Sequence, residues 1–423
     1  MKILVYGINF APELTGIGKY TGELAAWLAA RGHDVRVVTA PPYYPAWAVS
    51  PGYSGSTYRT EQWQGVHVVR CPLWVPRQPG GAKRLLHLAS FALSSLPALL
   101  AQVVWRPQLV WVVEPALFCA PAAVAVARLC GAKAWLHVQD FEVDAAFSLG
   151  LLRGAWLHRM VAGAERWLMR RFDVVSTISQ RMHQRLLDKG VAPSKALLAV
   201  NWVDMAQFGQ PAPEGVAAYR RELSIPDGAV VALYSGNMGG KQGLEVLAEV
   251  AIALNTAVVP VERAQAAINN VAIVFVFCGN GAGRADLVAR CQGLANVRFL
   301  DLQPAEQLPD LLATADIHLL PQRADAADLV MPSKLTGMLA SARPVVATAH
   351  AGTELATVVQ TCGLVVPPED TEAMVLAVRT LAADAALRKR LGAAGYAYAL
   401  AHLDRDAVLQ KFEADALALL SNE

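Results

Sequence analysis

Apolar, β-branched runs alternate with helix-patterned segments along the whole of this chain, and that alternation constrains the fold more than any other feature. ILVYGI leads into a helical pattern over residues 18–31, and DVRVVTA, VHVVRCP and LVWVVEP follow. An apolar helix comes after Cys119, then AKAWLHV, a long helical stretch over 152–171, and VVSTIS. Runs of this kind, apolar throughout rather than at every second position, belong to parallel strands covered by helices on both faces. The pattern pauses over residues 206–228, where three prolines and three glycines read as an interdomain connection. It then restarts with AVVALYSGN, VAIVFVFCG, VRFLD, DIHLLP, RPVVAT and GLVVP, and the sequence is helical from about residue 371 onward. The expected fold class is α/β, with two doubly wound Rossmann-like domains facing a central cleft. The domains are residues 1–205 and 229–395, and a C-terminal helix over 396–423 could pack back on the first.

Charge and cysteine usage exclude several functions. Lys+Arg 37 against Asp+Glu 35 leaves a net charge of +2, too balanced for a general nucleic-acid binder. The six cysteines lack any CxxC pair, which points to buried thiols in a reducing cytosol rather than disulfides or a zinc site. KILVYGI follows Met1 without a basic leader, so no signal peptide is expected. The chain is 54% hydrophobic, which makes a membrane span worth testing. Residues 85–105 are long enough for one and carry only His87 as an ionisable side chain. Pro97 interrupts the stretch and Ser90, Ser94, Ser95 and Gln102 dilute it, so a buried or membrane-resting helix is expected instead.

In open parallel sheets, ligands sit beyond the carboxyl ends of the strands. Three glycine loops lie at such positions. Gly16, Gly18 and Gly22 open the first helix, about nine residues after Ile8, which is too far for the tight turn of a nicotinamide-binding loop. Gly236, Gly239, Gly240 and Gly243 flank Asn237, Lys241 and Gln242, and Gly279, Asn280 and Gly281 make the third loop. Glycines let a phosphate approach backbone N–H groups, and a lysine beside them supplies a mobile point charge. MPSKLTGMLASARPVV, residues 331–346, places Ser333 and Lys334 at the mouth of a helix whose first turn carries no acid. A helix start disfavours a cation, so Lys334 fits best with a phosphate between it and the amides.

These motifs, in this order and with NWVDMAQF and ADIHLLP, resemble the family-4 nucleotide-sugar glycosyltransferases of the GT-B fold over nearly the whole chain. PPYYPAW and LHVQDFEVDAAFSLGLL resemble in particular the fucosyltransferases of bacterial surface-polysaccharide (colanic acid) synthesis. The resemblance implies retaining transfer of a sugar from a nucleoside diphosphate, with the donor mainly on the C-terminal domain and the acceptor on the N-terminal one. It implies no cofactor and no metal, so Lys334, Lys241 and the Gly16–Gly18 amides would neutralise the departing diphosphate. GDP-fucose is the favoured donor and a UDP-N-acetylhexosamine the alternative. A polyprenyl-diphosphate-linked glycan is the implied acceptor.

The chain departs from the family pattern at several places. Asn237 and Gln242 stand where many relatives carry an arginine and a lysine. A pair of glutamates eight residues apart falls on Leu329 and Gly337, with Asp325 and Asp328 near enough in sequence to substitute for the first. For catalysis, HVQDFEVD offers Asp140 first and His137 second, with Glu142 and Asp144 beside them. A front-face mechanism, in which the leaving phosphate helps deprotonate the acceptor, fits the shortage of nucleophiles. RGAWLHRMVAGAERWLMRR sets Arg153, Arg159, Arg166, Arg170 and Arg171 with Trp156 and Trp167 along one helix, as an anionic inner-leaflet surface would require. The expected location is the cytoplasm, peripheral on the inner membrane. Two other classes remain: a nicotinamide-dependent oxidoreductase, disfavoured by loop length and by the second domain, and a non-catalytic nucleotide-sugar-binding protein, suggested by the missing acids.

Overall fold

The computed structural model describes residues 1–14, 16–77, 80–114, 117–141, 143–144, 154–208, 213–255, 271–324 and 332–421. The chain divides into two compact units, Met1–Asn201 with Asp406–Glu423, and Trp202–Arg405.

The first unit is built on eight strands: β1 (Lys2–Tyr6), β2 (Asp34–Thr39), β3 (Arg59–Trp63), β4 (Val66–Arg70), β5 (Leu109–Glu114), β6 (Lys133–Val138), β7 (Val174–Thr177) and β8 (Ala196–Leu198). They lie in the order β3-β4-β2-β1-β5-β6-β7-β8, all parallel except β3, which runs antiparallel to β4. The central strands are buried on both faces, as their unbroken apolar runs require. The sequence pattern missed β3 and β8. RTEQW is a polar, largely exposed edge strand, and β8 has three residues.

The second unit holds β9 (Val230–Ser235), β10 (Ile273–Cys278), β11 (Val297–Leu300), β12 (Ile317–Leu320), β13 (Val345–Thr348) and β14 (Gly363–Val366), in the order β11-β10-β9-β12-β13-β14 and parallel throughout. Alternate residues of each strand enter different cores. Val231, Leu233, Val274 and Val276 pack on one face, and Val230, Ala232, Tyr234, Phe275 and Phe277 on the other. Helices cover both faces, which makes this sheet doubly wound.

Two boundaries differ from the sequence expectation. Segment 206–228 lies inside the second unit and carries the helix Pro213–Glu222. Its Tyr219, Leu223 and Ile225 are buried in that unit's core, so apolar contacts outweigh the proline- and glycine-rich composition. The helix Ala385–His402 also stays with the second unit, because Gly392 and Gly395 bring it against Ala342 and Leu339. The chain passes between the units at 201–202 and 405–406.

Residues 81–105 form two nearly continuous helices, Gly81–Ser94 and Leu96–Trp105, joined at Ser95. Pro97 does not break the run, since it sits in the first turn of the second helix, where no N–H is needed. The Ser95 hydroxyl bonds to the buried Tyr6 hydroxyl of β1 at 2.6 Å. By length and composition this stretch could cross a membrane, and a third of its apolar window is buried. His87, Leu88, Phe91, Leu99 and Gln102 face inward, whereas Leu86 and Leu93 stay exposed.

The last helix, Arg405–Ser421, returns to the first unit. Glu413 accepts from Arg31 Nε at 2.8 Å and from His33 Nε2 at 2.7 Å. Burial pushes the Glu413 carboxyl upward, but these donors outweigh it and hold the group below the usual carboxylate range. A depressed acid contributes stability above its unfolded pKa and loses it as pH falls through the folded one. Glu413→Ala is therefore expected to lower the stability of the first unit by about 2 kcal/mol at neutral pH. Urea titrations should show the gap from wild type closing as the pH falls through the carboxylate range.

Candidate active site

The order of the second sheet reverses between β9 and β12, and in sheets of this type such a switch point opens a crevice at the carboxyl ends. The loops after β9 and β10 interlock there. Gly236 N–H donates to Cys278 O at 3.0 Å, Met238 N–H to Asn280 O at 2.9 Å, and Gly283 N–H to Met238 O at 2.8 Å. A Cβ on Gly279 would stand 1.9 Å from Gly236 O, and one on Gly281 would stand 2.6 Å from Met238 O. Both glycines also have φ near +148°. Glycine is thus demanded by backbone meeting backbone, before any ligand is considered.

Lys334 opens the helix Lys334–Ala340 and reaches back into this junction. Its Nζ donates to Tyr234 OH at 2.8 Å and lies 4.2 Å from the centre of the Tyr234 ring. The Tyr234 hydroxyl in turn donates to Asn237 O at 2.6 Å. A Cβ on Gly236 would lie 3.4 Å from the ammonium, so that glycine leaves the lysine its channel. Among the described residues the ammonium pairs with no carboxylate. Burial alone pushes its pKa down to about 7. A half-buried cation in this state is poised to accept an anion, because pairing recovers part of its desolvation cost.

The other candidates of this unit gather around the same edge. Asn237, Gln242, Gly279 and Asn280 lie on the two interlocked loops. The Gln242 Oε1 atom is buried without a hydrogen-bond partner among the described residues, as is Gln322 Oε1 beyond β12. Ser333 is exposed next to Lys334, and its carbonyl accepts from the Thr336 hydroxyl. Gly337, at the place of a family glutamate, is backed by Leu312, whose Cδ1 would be 3.0 Å from an added Cβ. The Lys241 side chain lies outside the described ones, as do Asp325, Asp328 and Leu329. Sequence reasoning missed Tyr234 and Gln322. A tyrosine in the otherwise aliphatic VVALYS was the available signal, because a buried hydroxyl needs partners.

In the first unit, His137 and Gly18 are each packed against other parts of the protein. His137, at the end of β6, is buried, stacked on Trp111 and held at both ring nitrogens. Nδ1 meets Ser176 Oγ at 2.9 Å, and Nε2 meets the Gln139 amide nitrogen at 3.1 Å. Burial pushes its pKa down to about 3, which keeps the ring neutral. Gly18 does not hold an open anion cradle on its Cβ side, since Glu13 Oε2 would be 2.4 Å from that atom. Glu13 accepts from the N–H groups of Tyr43 (3.1 Å) and Tyr44 (3.0 Å) and from Asn9 Nδ2 (2.9 Å). Its carboxyl is pushed up to about 7 by burial, against the pull of those donors. Gly16 has φ +65° and faces Tyr44.

Asp140 keeps its place as the first catalytic candidate, half-buried two residues past the carboxyl end of β6. Asp144 is bound to Arg185 (2.8 Å) and Lys189 (3.2 Å), which gives it a structural role, and Glu142 lies outside the described residues. Among the described residues, no group of three His, Cys, Asp or Glu could hold a metal ion.

Residues 15–202 match the Glycosyl transferase 4-like domain family, and residues 229–384 match Glycosyl transferases group 1. The chain is 44% identical over 420 residues to WcaI of Escherichia coli (strain K12), named as a colanic acid biosynthesis glycosyl transferase, covering 97% of this chain and 98% of that one. Its fold is similar to the sucrose-phosphate synthase of Thermosynechococcus elongatus (TM-score 0.75, 16% identity, covering 100% and 99% of the chains). It is also similar to Anabaena HepE, solved with UDP and glucose (TM-score 0.69, 14% identity, covering 99% and 100%). With both family models matched and a full-length relative at this identity, the chain belongs to the family-4 GT-B glycosyltransferases, in the WcaI type.

Proposed function

We propose that this glycosyltransferase moves a sugar from a nucleoside diphosphate to an acceptor hydroxyl with retention of configuration, and that the diphosphate rests against Lys334 and the loop after β9. The observation that carries this reading is the half-buried ammonium, aimed into the glycine junction and without a carboxylate among the described residues. GDP-fucose is the favoured donor, because PPYYPAW and the segment after β6 follow the colanic acid type. A UDP-sugar, such as a UDP-N-acetylhexosamine, is the second reading, favoured by the UDP and glucose bound in HepE. The name of WcaI suggests an acceptor of bacterial surface-polysaccharide synthesis, and a polyprenyl-diphosphate-linked glycan fits that class.

In the front-face reaction, the acceptor oxygen attacks the anomeric carbon on the side the diphosphate leaves. The new C–O bond forms as the C–O bond to phosphate breaks, and the acceptor proton passes to a phosphate oxygen. Lys334 and the loop amides stabilise charge that grows on the diphosphate, so their effect is larger in the transition state than in the ground state. Asp140 is proposed to face the donor sugar. Of the positions offered for the diphosphate, Lys334, Asn237, Gln242, Gly279, Asn280 and Ser333 share one edge of the second unit.

A lipid-linked acceptor favours work at the inner leaflet, on the cytoplasmic face. The helix Ala155–Met169 is suited to it: Trp156 and Trp167 are 68% and 56% exposed, and Arg171 lies 4.0 Å over the Trp167 ring. Arg166, Arg170 and Arg171 line a concavity with Gly163 and Trp167. Exposed tryptophans among arginines match an anionic bilayer surface.

In a thermal-shift panel of GDP, UDP, ADP and their sugars, GDP compounds are expected to raise the melting temperature most. Lys334→Ala should weaken that binding about tenfold, and an unchanged shift would remove Lys334 from the site. Tight binding of one sugar nucleotide with neither hydrolysis nor transfer would leave a binding protein and overturn the enzymatic reading. Flotation with vesicles containing phosphatidylglycerol should carry the wild-type protein and lose an Arg166→Glu, Arg170→Glu double variant. Equal recovery of both in the soluble fraction would count against membrane attachment.

A further inference from the structure

We infer that Tyr234 is a positioning residue for nucleotide binding: its hydroxyl and ring fix the Lys334 ammonium above the loop that follows β9. The inference rests on Lys334 meeting the donor diphosphate, as proposed above. Tyr234 is the next-to-last residue of a strand whose other residues are aliphatic or small, and it is fully buried. Three contacts converge on it. Its oxygen accepts from Lys334 Nζ (2.8 Å), its proton goes to Asn237 O (2.6 Å), and its ring face lies 4.2 Å under the ammonium.

Each contact restricts something that a phosphate site needs fixed. A lysine carries four rotatable side-chain bonds, and ordering them costs conformational entropy. Tyr234 meets that cost before the ligand arrives, so less affinity is lost on binding. Donation to Asn237 O polarises the phenol oxygen and makes it a better acceptor for the ammonium. The same bond ties the phenol to the loop after β9 at Asn237. One hydroxyl therefore couples the lysine from the segment after β12 to the loop after β9, across the switch point of the sheet. An ammonium has three donors and Tyr234 takes one, so the group can turn its remaining N–H bonds toward a diphosphate without leaving its support.

The test is a double-mutant cycle on the full chain with Tyr234→Phe, Lys334→Ala and the pair, using GDP and UDP as probes by calorimetry. Tyr234→Phe keeps the ring and removes the hydroxyl. Nucleotide affinity is expected to fall about tenfold, and kcat with it, while the KM for the acceptor stays as in wild type. In the Lys334→Ala background the same substitution should change affinity less than about twofold, because the lysine it positions is gone. A tyrosine that merely supports the fold would instead give losses that multiply. Multiplying losses, or wild-type affinity in Tyr234→Phe, overturn the inference. If Lys334→Ala alone binds as wild type, the site reading itself fails and the inference falls with it. Tyr234→Leu runs the same cycle should the phenylalanine variant not fold.

Discussion

Parallel pairing in the second sheet brings the ends of β9, β10 and β12 to one edge, and there two loops meet at the limit of backbone contact. No side chain fits at Gly279 or Gly281, and the space left beside Gly236 is taken by the Lys334 stem. Much of the candidate site follows from that contact. The glycines set the distance between the loops, and Tyr234 carries the ammonium to the gap between the strands where the order reverses. A cation partly removed from water there is costly unless an anion joins it. The first unit uses the corresponding places differently. Its loop after β1 is filled by the protein's own carboxylate, Glu13, which ties that loop to Tyr43 and Tyr44.

How much of this was legible in the sequence depended on whether a feature left a local signal. Strands buried on both faces announced themselves through unbroken apolar runs, so all six strands of the second sheet and the central ones of the first were read correctly. The edge strand RTEQW was not, because its neighbours on one side are water and its pattern is polar. Segment 206–228 looked like a linker by composition, yet Tyr219, Leu223 and Ile225 supply an apolar face that joins it to a core. Lys334 stood out as a lysine at an acid-free helix start, a local oddity that the sequence itself displays. The surroundings of His137 could not be read from sequence, since its partner Ser176 is 39 residues away. The same holds for Gly18, whose reason is the side chain of Glu13 five residues earlier, folded back onto it.

The candidate residues of the two units therefore stand on different footings. In the second unit, several independent features meet at one edge of the sheet: strand order, glycine contacts, a supported ammonium and buried amide oxygens of Gln242 and Gln322. In the first unit, Asp140 is placed at a strand end, and its role rests on family likeness. The missing glutamate at Gly337 does not weaken the enzyme reading, because the 44% identity to WcaI spans 97% of this chain and 98% of that one.

The central claim is that a diphosphate completes the Lys334 site, and proton uptake on binding tests it most directly. Burial holds the free ammonium near a pKa of about 7, so at pH 8 most of it is neutral. A bound diphosphate favours the charged form and raises that pKa, so binding must take up a proton. Calorimetric titration of GDP or UDP in buffers of different ionisation enthalpy counts those protons. The account predicts uptake approaching one proton at pH 8 in the wild-type protein and its loss in Lys334→Met. Tight nucleotide binding with equal proton exchange in both proteins would contradict it.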